Sequence, residues 1–201
     1  MNLLNEYSKI SEVAIRSPLS SFVNDKKITN EWAPLRFHAK PDLKKAIIEY
    51  NYFRSFLEED EIKIIELPSS DKLTLDSIYT RDSIVVCDSG LILCNMGRSS
   101  RTPEAEENVK TLSDNGYKIA GQIKSPGTLE GGDFIWIDNK NAAVGLGPRT
   151  NSEGIRQLKE ILGPEIDLHI VNLPDPDHPD DVLHLMSIIS PLDKDLAVIY
   201  K

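Results

Sequence analysis

The sequence between residues 83 and 171 repeats one order of predicted elements twice, and this repeat is the strongest constraint on the fold. In the first copy, residues 83–123, two apolar strands form a hairpin around Asp88-Ser89-Gly90, and a helix and a third strand follow. In the second copy, residues 134–171, a hairpin, a helix over about 152–162 with Asn151 as its cap, and a strand recur in that order. Tandem copies of one supersecondary unit predict units that pack against their neighbours. We therefore predict an α/β fold of repeated β-β-α-β units.

The flanking segments extend this pattern toward both ends of the chain. Residues 11–67 contain a strand, a polar stretch predicted as loop to about Ala39, and a helix with apolar residues at helical spacing from Pro41 to about Glu59, before a second strand. A partial unit begins at residue 183. We expect one domain, residues 1–201, in which the predicted units are 11–67, 83–123, 134–171 and the partial unit.

The partial unit is predicted to consist of a strand over 183–189, a turn at 191–194 and a strand over 196–199. No helix follows before the sequence stops. We therefore expect the fold to be incomplete at its C-terminal side. An unclosed arrangement would leave strand edges and an apolar face uncovered, so we also expect either self-association into a homo-oligomer or marginal stability.

Composition narrows the class of function. The 201 residues are 40% hydrophobic and 27% charged, with a net charge of −9. An acidic balance argues against nucleic-acid binding, which needs a basic surface. The sequence contains no apolar run of the ~18 residues that a membrane span needs. The N-terminus lacks the pattern of a signal peptide, so we expect a cytoplasmic protein without membrane partners.

Acidic side chains and one histidine occur at corresponding points of three units. Glu130 and Asp133 flank a glycine pair just before the apolar run 134–137, whereas the preceding loop offers Asp76 and Asp82, and the partial unit offers His184. In a ring of repeated units, these positions converge on the central axis. Like charges in one pocket repel each other, so such a cluster calls for a cationic partner. A guanidinium ion suits it, because its fork of donors binds carboxylates in pairs.

Six motifs carry a resemblance to a known family. They are 13–18 (VAIRSP), 76–82 (DSIYTRD), 101–104 (RTPE), 129–133 (LEGGD), 144–151 (VGLGPRTN) and 184–185 (HL). Together they resemble the guanidino-modifying, or pentein, superfamily, and most of all its dimethylarginine dimethylaminohydrolases, followed by its arginine deiminases. The resemblance runs from about residue 11 to the last residue.

The resemblance implies a fold and a reaction. The fold is a propeller-like fan of five β-β-α-β units around a central site. The reaction is hydrolysis of a guanidino C–N bond in arginine or N-methylated arginine, which gives citrulline and an amine. A cysteine thiolate attacks the guanidinium carbon, and water hydrolyses the thiouronium intermediate. The only implied ligand is the small guanidino substrate, with no cofactor and no metal ion.

The resemblance also implies roles for individual residues. Glu130 and His184 form the acid/base pair. Asp76 and Asp82 accept hydrogen bonds from the substrate guanidinium. Two arginines, Arg101 and Arg149, pair with the substrate's α-carboxylate, and Asp133 orients the Glu130 loop or a nearby arginine.

Two departures from the family pattern concern the substrate. Arginine deiminases carry an acid two residues after the histidine, where this chain has Met186. This difference favours a dimethylarginine-type substrate. Arg81 before Asp82 is the deiminase pattern, so the choice between arginine and methylated arginine stays open.

The third departure is the nucleophile. The family's cysteine lies well after the histidine motif, and neither Cys87 nor Cys94 corresponds to it. Both alternate with apolar residues in strands, which indicates small core residues. We expect no disulfide between them, because the hairpin would set Cys87 opposite Leu91. The alternatives are a catalytically inactive guanidino-binding protein, one chain of a two-chain enzyme, or a fragment.

Overall fold

The computed structural model describes residues 4–174 and 183–200, which form an α/β structure that divides into two compact units. Unit A comprises residues 10–80 and 106–115. Unit B comprises the described parts of residues 1–9, 81–105 and 116–201. The α/β class predicted from the repeats is confirmed. The prediction of a single domain over residues 1–201 stays a prediction.

Unit A is built on two parallel strands, β1 (Glu12–Ile15) and β2 (Lys63–Glu66). Between them lie three helices, which are α1 (Pro18–Ser21), α2 (Asp25–Glu31) and α3 (Leu43–Glu59). The predicted helix after Pro41 is confirmed as α3, and the Asp42 side chain caps its first turn. A small apolar core forms around Phe22, Ile28, Leu35 and Leu75.

The prediction that the polar stretch before residue 39 is loop was wrong, because α1 and α2 lie there. Each helix has a side-chain cap at its start, supplied by Ser17 and by Asn24. Ile28 is the single fully buried side chain of α2. With one buried apolar residue, α2 has no apolar periodicity that a sequence pattern could detect.

Unit B contains two three-stranded sheets of the same topology. In each sheet, an antiparallel hairpin is followed by a helix and by a strand that pairs in parallel with the second hairpin strand. The first comprises β3 (Ile84–Cys87), β4 (Gly90–Leu93), α4 (Glu104–Asp114, shared with unit A) and β5 (Ile119–Gln122). The second comprises β6 (Phe134–Trp136), β7 (Asn141–Leu146), α5 (Ser152–Leu162) and β8 (Asp167–Asn172).

The repeated order of elements predicted over 83–171 is thereby confirmed. The inner faces of both sheets share one apolar core, which includes Ile92, Phe134, Val144 and Leu158. The Asn151 side chain caps α5, as predicted.

The register of the first hairpin differs from the prediction. Cys87 pairs with Gly90, not with Leu91, because the turn has only two residues, Asp88 and Ser89. Gly90 has a φ of +134°, and a Cβ there would lie 2.2 Å from the Lys118 carbonyl oxygen. Both features require a glycine at this first residue of β4. Both cysteines are buried and free of a disulfide.

The last described segment consists of α6 (Leu185–Ile188), β9 (Ile189–Asp193) and β10 (Leu196–Ile199). The predicted strand over 183–189 was wrong, because α6 occupies most of it, and the turn comes after Asp193 instead of over 191–194. Periodicity does not distinguish so short an apolar helix from a buried strand. Within residues 4–174 and 183–200, no helix is long and apolar enough to cross a membrane.

Candidate active site

The Glu130 carboxylate is fully buried in unit B, and both of its oxygens have partners. Oε1 accepts hydrogen bonds from the Arg98 backbone N–H and from Arg149 Nη1, each at 3.1 Å. Oε2 lies 2.8 Å from His184 Nε2. Burial alone would raise the pKa of Glu130, but the His184 hydrogen bond and the Arg149 charge lower it to about 2. Glu130 is therefore an anion at neutral pH.

His184 immediately precedes α6, which turns its ring toward Glu130. Burial opposes its protonation, but the hydrogen bond with Glu130 and the charges of Asp82 and Asp133 outweigh burial and raise the pKa of His184 above 6.5. The site therefore stabilises an imidazolium that can give up a proton.

Asp133 connects the Glu130 and His184 segments. Its Oδ2 accepts a hydrogen bond from the Thr150 hydroxyl at 2.7 Å, and its Oδ1 accepts one from the Leu185 backbone N–H at 3.0 Å. The Thr150 hydroxyl in turn accepts the Glu130 backbone N–H at 3.2 Å. Burial raises the pKa of Asp133. Asp133 is thus placed to orient the backbone on both sides of the acid/histidine pair.

Arg101 holds Asp82 in this cluster. Its Nη1 donates to Asp82 Oδ2 at 2.6 Å, and its Nε and Nη2 donate to the two carboxylate oxygens of Glu104, each at 2.8 Å. Only 4% of Arg101 is exposed. The guanidinium predicted to meet a substrate carboxylate therefore binds carboxylates of the chain itself, because Glu104 follows three residues later at the start of α4.

Gly132 lies between the side chains of Asp82 and His184. A Cβ at this position would lie 2.7 Å from Asp82 Oδ1 and 2.8 Å from His184 Cγ. Real Cβ atoms do not come so close to other atoms, so only glycine lets the backbone pass between these side chains. Gly132 of the 129–133 motif is thereby tied to the site.

The structure thus brings together six of the seven predicted site residues. These are Asp82, Arg101, Glu130, Asp133, Arg149 and His184. Asp76 is buried in unit A, at the second residue of a short 3₁₀ helix. Its contact with a substrate stays a prediction.

A family model described as N,N dimethylarginine dimethylhydrolase, eukaryotic, matches residues 24–201. This match covers most of the chain and includes the acid and histidine motifs. The chain belongs to this family. The resemblance to guanidino-modifying enzymes inferred from the motifs is therefore confirmed.

Individual relatives agree with the family match. The N(G),N(G)-dimethylarginine dimethylaminohydrolase of Pseudomonas aeruginosa is 30% identical over 123 residues, which is 61% of this chain and 48% of that protein. The chain thus spans about half the length of this relative. The homologous protein of Streptomyces coelicolor is 31% identical over 117 residues, 58% of this chain and 43% of its own length.

Solved structures of this family and of an amidinotransferase share the fold. A mutant DDAH from Pseudomonas aeruginosa complexed with citrulline has a TM-score of 0.73 at 25% identity, with 92% of this chain and 67% of that chain covered. SxtG, an amidinotransferase from Microseira wollei, has a TM-score of 0.75 at 19% identity over 98% of this chain and 68% of that chain. The second likeness concerns the fold alone.

Three side chains of the site are of types that can bind a metal ion. One atom each from Asp82, Glu130 and His184 lie within 4.8 Å of one another. However, Arg101 and Arg149 already place cationic groups on the two carboxylates. This compensation leaves less negative charge to hold a divalent ion. The expectation of no metal ion stays a prediction.

The two cysteines do not have the surroundings of an activated nucleophile. Burial and the charges of Asp82 and Glu130 raise the pKa of the Cys94 thiol. Cys87 is buried in β3, where its thiol donates to the Gly90 carbonyl oxygen at 3.3 Å.

Sequence reasoning did not assign roles to Thr150, Glu104 and the Arg98 backbone N–H. Thr150 lies inside the 144–151 motif, between Arg149 and the helix cap Asn151. This position could have indicated a role for its hydroxyl in the site. Glu104 lies inside the 101–104 motif at helical spacing from Arg101. The role of a backbone N–H group, such as that of Arg98, cannot be predicted from the type of residue.

Proposed function

We propose that this chain forms the guanidinium-binding and proton-transfer part of a hydrolase that cleaves a guanidino C–N bond in arginine or N-methylated arginine. The observation that carries the proposal is the convergence of Asp82, Glu130 and His184 in one buried cluster. Family membership supports a guanidino-modifying reaction, and the citrulline complex of the Pseudomonas relative supports a citrulline product.

In this proposal, Arg149 occupies the place of a substrate guanidinium in the free protein. It presents the same cationic group to Glu130 that a substrate would present, and 16% of its side chain is exposed. An incoming guanidinium replaces it on Glu130. The released Arg149 then pairs with the substrate's α-carboxylate, the role implied by the family pattern.

In the proposed chemistry, Glu130 holds the guanidinium and His184 transfers the protons. A thiolate adds to the guanidinium carbon, the C–N bond to the leaving nitrogen breaks, and His184 gives that nitrogen its proton. The neutral imidazole then takes a proton from water, whose oxygen attacks the thiouronium carbon. The C–S bond breaks and the second proton of that water is lost, which releases citrulline and regenerates the thiolate. Through solvent, this proton ends on the released amine, which leaves as an ammonium ion.

The attacking thiolate comes from a cysteine other than Cys87 and Cys94. Both thiols are buried, and the carboxylates that attract a guanidinium disfavour a nearby thiolate. The proposal also includes two features implied by the family pattern, which are the propeller arrangement of units and the participation of Asp76 in the site. The shared topology of the two sheets in unit B supports the former.

The substrate we favour is an N-methylated arginine. Met186 offers no acid for a second unsubstituted guanidinium nitrogen, and the matching family model is that of the dimethylarginine enzymes.

Citrulline formation by the complete gene product, with dimethylarginine and arginine as substrates, tests the proposed function. We expect Glu130→Gln and His184→Ala to lower kcat by about 10²–10⁴. Cys87→Ser and Cys94→Ser serve as matched controls and should retain turnover. If either cysteine variant alone abolishes citrulline formation, the assignment of the nucleophile is wrong. If guanidino ligands bind but no form of the protein turns them over, the non-enzymatic alternative is correct.

A further inference from the structure

The side chain of Arg81 binds the N-terminal segment of unit B, although Arg81 directly precedes Asp82 of the site. Its Nη2 donates to Glu6 Oε1 at 2.9 Å and to the Phe134 backbone carbonyl oxygen at 3.0 Å. The same Glu6 oxygen accepts the Trp136 backbone N–H at 3.1 Å. Arg81 is thus held both by the N-terminal segment and by β6.

The N-terminal segment, residues 4–8, is itself anchored in unit B. The Leu4 side chain is buried in the apolar core, and its backbone N–H donates to Asn139 Oδ1 at 2.7 Å. The Asn5 side chain accepts two backbone N–H groups of the segment, at 3.1 and 2.6 Å, which closes a local turn. Only 15% of the Glu6 side chain is exposed. The segment therefore presents the Glu6 carboxylate from a fixed position.

The segments that carry the two site carboxylates meet beside this contact. A Cβ at Gly131 would lie 2.3 Å from the Arg81 carbonyl oxygen, so the two backbones touch. Asp82 and Glu130 each place a carboxylate oxygen within 4.8 Å of the other. Two carboxylates this close repel each other, so their separation depends on what holds the two segments together. The contact between Glu6 and Arg81 holds the Asp82 segment against β6, the strand that continues from the Glu130 loop.

We propose that Glu6 is a positioning residue, which keeps Asp82 beside Glu130 by holding Arg81 against β6. The inference rests on the proposed function, because it gives the N-terminal segment a role in guanidinium binding. Exposed ion pairs contribute little on their own, and 46% of the Arg81 side chain is exposed. Glu6, however, is mostly buried and also binds the backbone of β6, so its loss removes two contacts at once.

The pKa of His184 reports the position of Asp82 in the absence of a ligand. Burial lowers this pKa, whereas the hydrogen bond with Glu130 and the charges of Asp82 and Asp133 raise it. In Arg81→Met, the contact with the N-terminal segment is lost and Asp82 moves away. We therefore expect NMR titration to give a lower pKa of His184 in this variant than in the wild-type protein. Direct electrostatics predicts the opposite sign, because removal of a cation raises the pKa of a nearby imidazole.

Variants of Glu6 remove the same contact from its other side. Glu6→Ala should lower the pKa of His184, and Glu6→Gln, which keeps an acceptor for the Trp136 N–H, should lower it less. The double variant Glu6→Ala/Arg81→Met should show a pKa no lower than the lower of the two single variants, because one contact is lost once. Arg156→Met, which removes an exposed cation from α5, is the matched control and should leave the pKa unchanged. His184→Gln identifies the resonance.

Isothermal titration of dimethylarginine into the same variants separates this inference from the proposed function. We expect Glu6→Ala and Arg81→Met each to weaken binding by about three- to tenfold, with no further loss in the double variant. If the wild-type protein binds no dimethylarginine but Arg81→Met lowers the pKa of His184, the proposed function fails and the positioning role stands. If Arg81→Met raises this pKa or leaves it unchanged, the positioning role is overturned whatever the affinities are. Additive effects of the two substitutions on binding, or an equal effect of Arg156→Met, would also overturn it.

Discussion

At the scale of single residues, the contact between Arg149 and Glu130 is the one that most affects ligand binding. Arg149 Nη1 lies 3.1 and 3.3 Å from the two Glu130 oxygens. A fixed internal cation lowers the affinity of the site for an external one, because the ligand must replace a charge-assisted hydrogen bond. A ligand with a carboxylate regains that loss if Arg149 then binds the carboxylate.

Two ligands separate these effects. For Arg149→Gln, we expect methylguanidine, which has no carboxylate, to bind about tenfold more tightly because its competitor is gone. Arginine should not gain in the same way, because its carboxylate loses a partner. Isothermal titration gives both affinities, with the exposed Arg156→Gln as the control. Weaker or unchanged methylguanidine binding to Arg149→Gln would contradict the proposed role of Arg149.

The pairing of His184 with Glu130 makes stability depend on pH in a defined direction. The pKa of His184 is raised above 6.5 in the folded protein, so its contribution is complete below pH 6.5 and is lost as pH rises through the folded-state pKa. The pKa of Glu130 is lowered from 4.5 to about 2, so its contribution is complete above pH 4.5 and is lost as pH falls toward 2. The pair therefore stabilises most between pH 4.5 and 6.5.

Urea unfolding of the wild-type protein and of His184→Gln measures this dependence. We expect the difference in free energy of unfolding between the two proteins to be largest between pH 4.5 and 6.5 and to shrink at higher pH. A difference that is constant or grows with pH would show that the imidazolium is not stabilised in the folded state.

At the scale of elements, Thr150 joins the turn after β7 to the segment before β6. Its hydroxyl donates to Asp133 and accepts the Glu130 backbone N–H, and its side chain is fully buried. Replacement by valine keeps the shape and leaves two buried polar groups without their partner. We expect Thr150→Val to lower the free energy of unfolding by about 2 kcal/mol, measured by urea unfolding.

Thr102→Val is the control, because Thr102 is exposed although its hydroxyl also donates, to the Ser99 carbonyl oxygen. Its effect should stay within about 0.5 kcal/mol. Equal losses in the two variants would show that the connection through Thr150 has no special importance.

Elements with both a cap and a clear apolar period were predictable from the sequence. Helix α5 follows Asn151 and ends before Gly163, and its bounds agree with the prediction. The hairpin β3–β4 was predicted, but its turn has two residues instead of three, because Gly90 is the first residue of β4. Residue types alone do not show that this glycine pairs in the strand. Helix α6 has four residues, too few to show a period.

The sequence predicted which residues form the site but not which of them contact each other. The repeated unit indicated that the loops of Asp82, Glu130 and His184 converge, because equivalent loops of equivalent units lie at the same end. The partners of Arg101 and Arg149 depend on side-chain direction, and both guanidinium groups bind carboxylates of the chain in this structure. A motif identifies charged residues, whereas the conformation determines which charges meet.

At the scale of the whole molecule, the chain carries a net charge of −9, and its acidic cluster is compensated locally by two arginines and a histidine. Family membership accounts for the α/β fold and for the order of the motifs. We propose, more narrowly, that the Glu130 carboxylate of this 201-residue chain is the main anion for a guanidinium ligand.

Isothermal titration of dimethylarginine into three proteins tests that claim most directly. These are the wild-type chain, Glu130→Gln, and Glu160→Gln, an exposed acid on α5 that serves as the control. We predict that Glu130→Gln weakens binding at least about tenfold, because a charge-assisted hydrogen bond in a buried site is lost, whereas Glu160→Gln binds like the wild-type chain. Equal affinity in all three proteins, or no binding by the wild-type chain, would contradict the account.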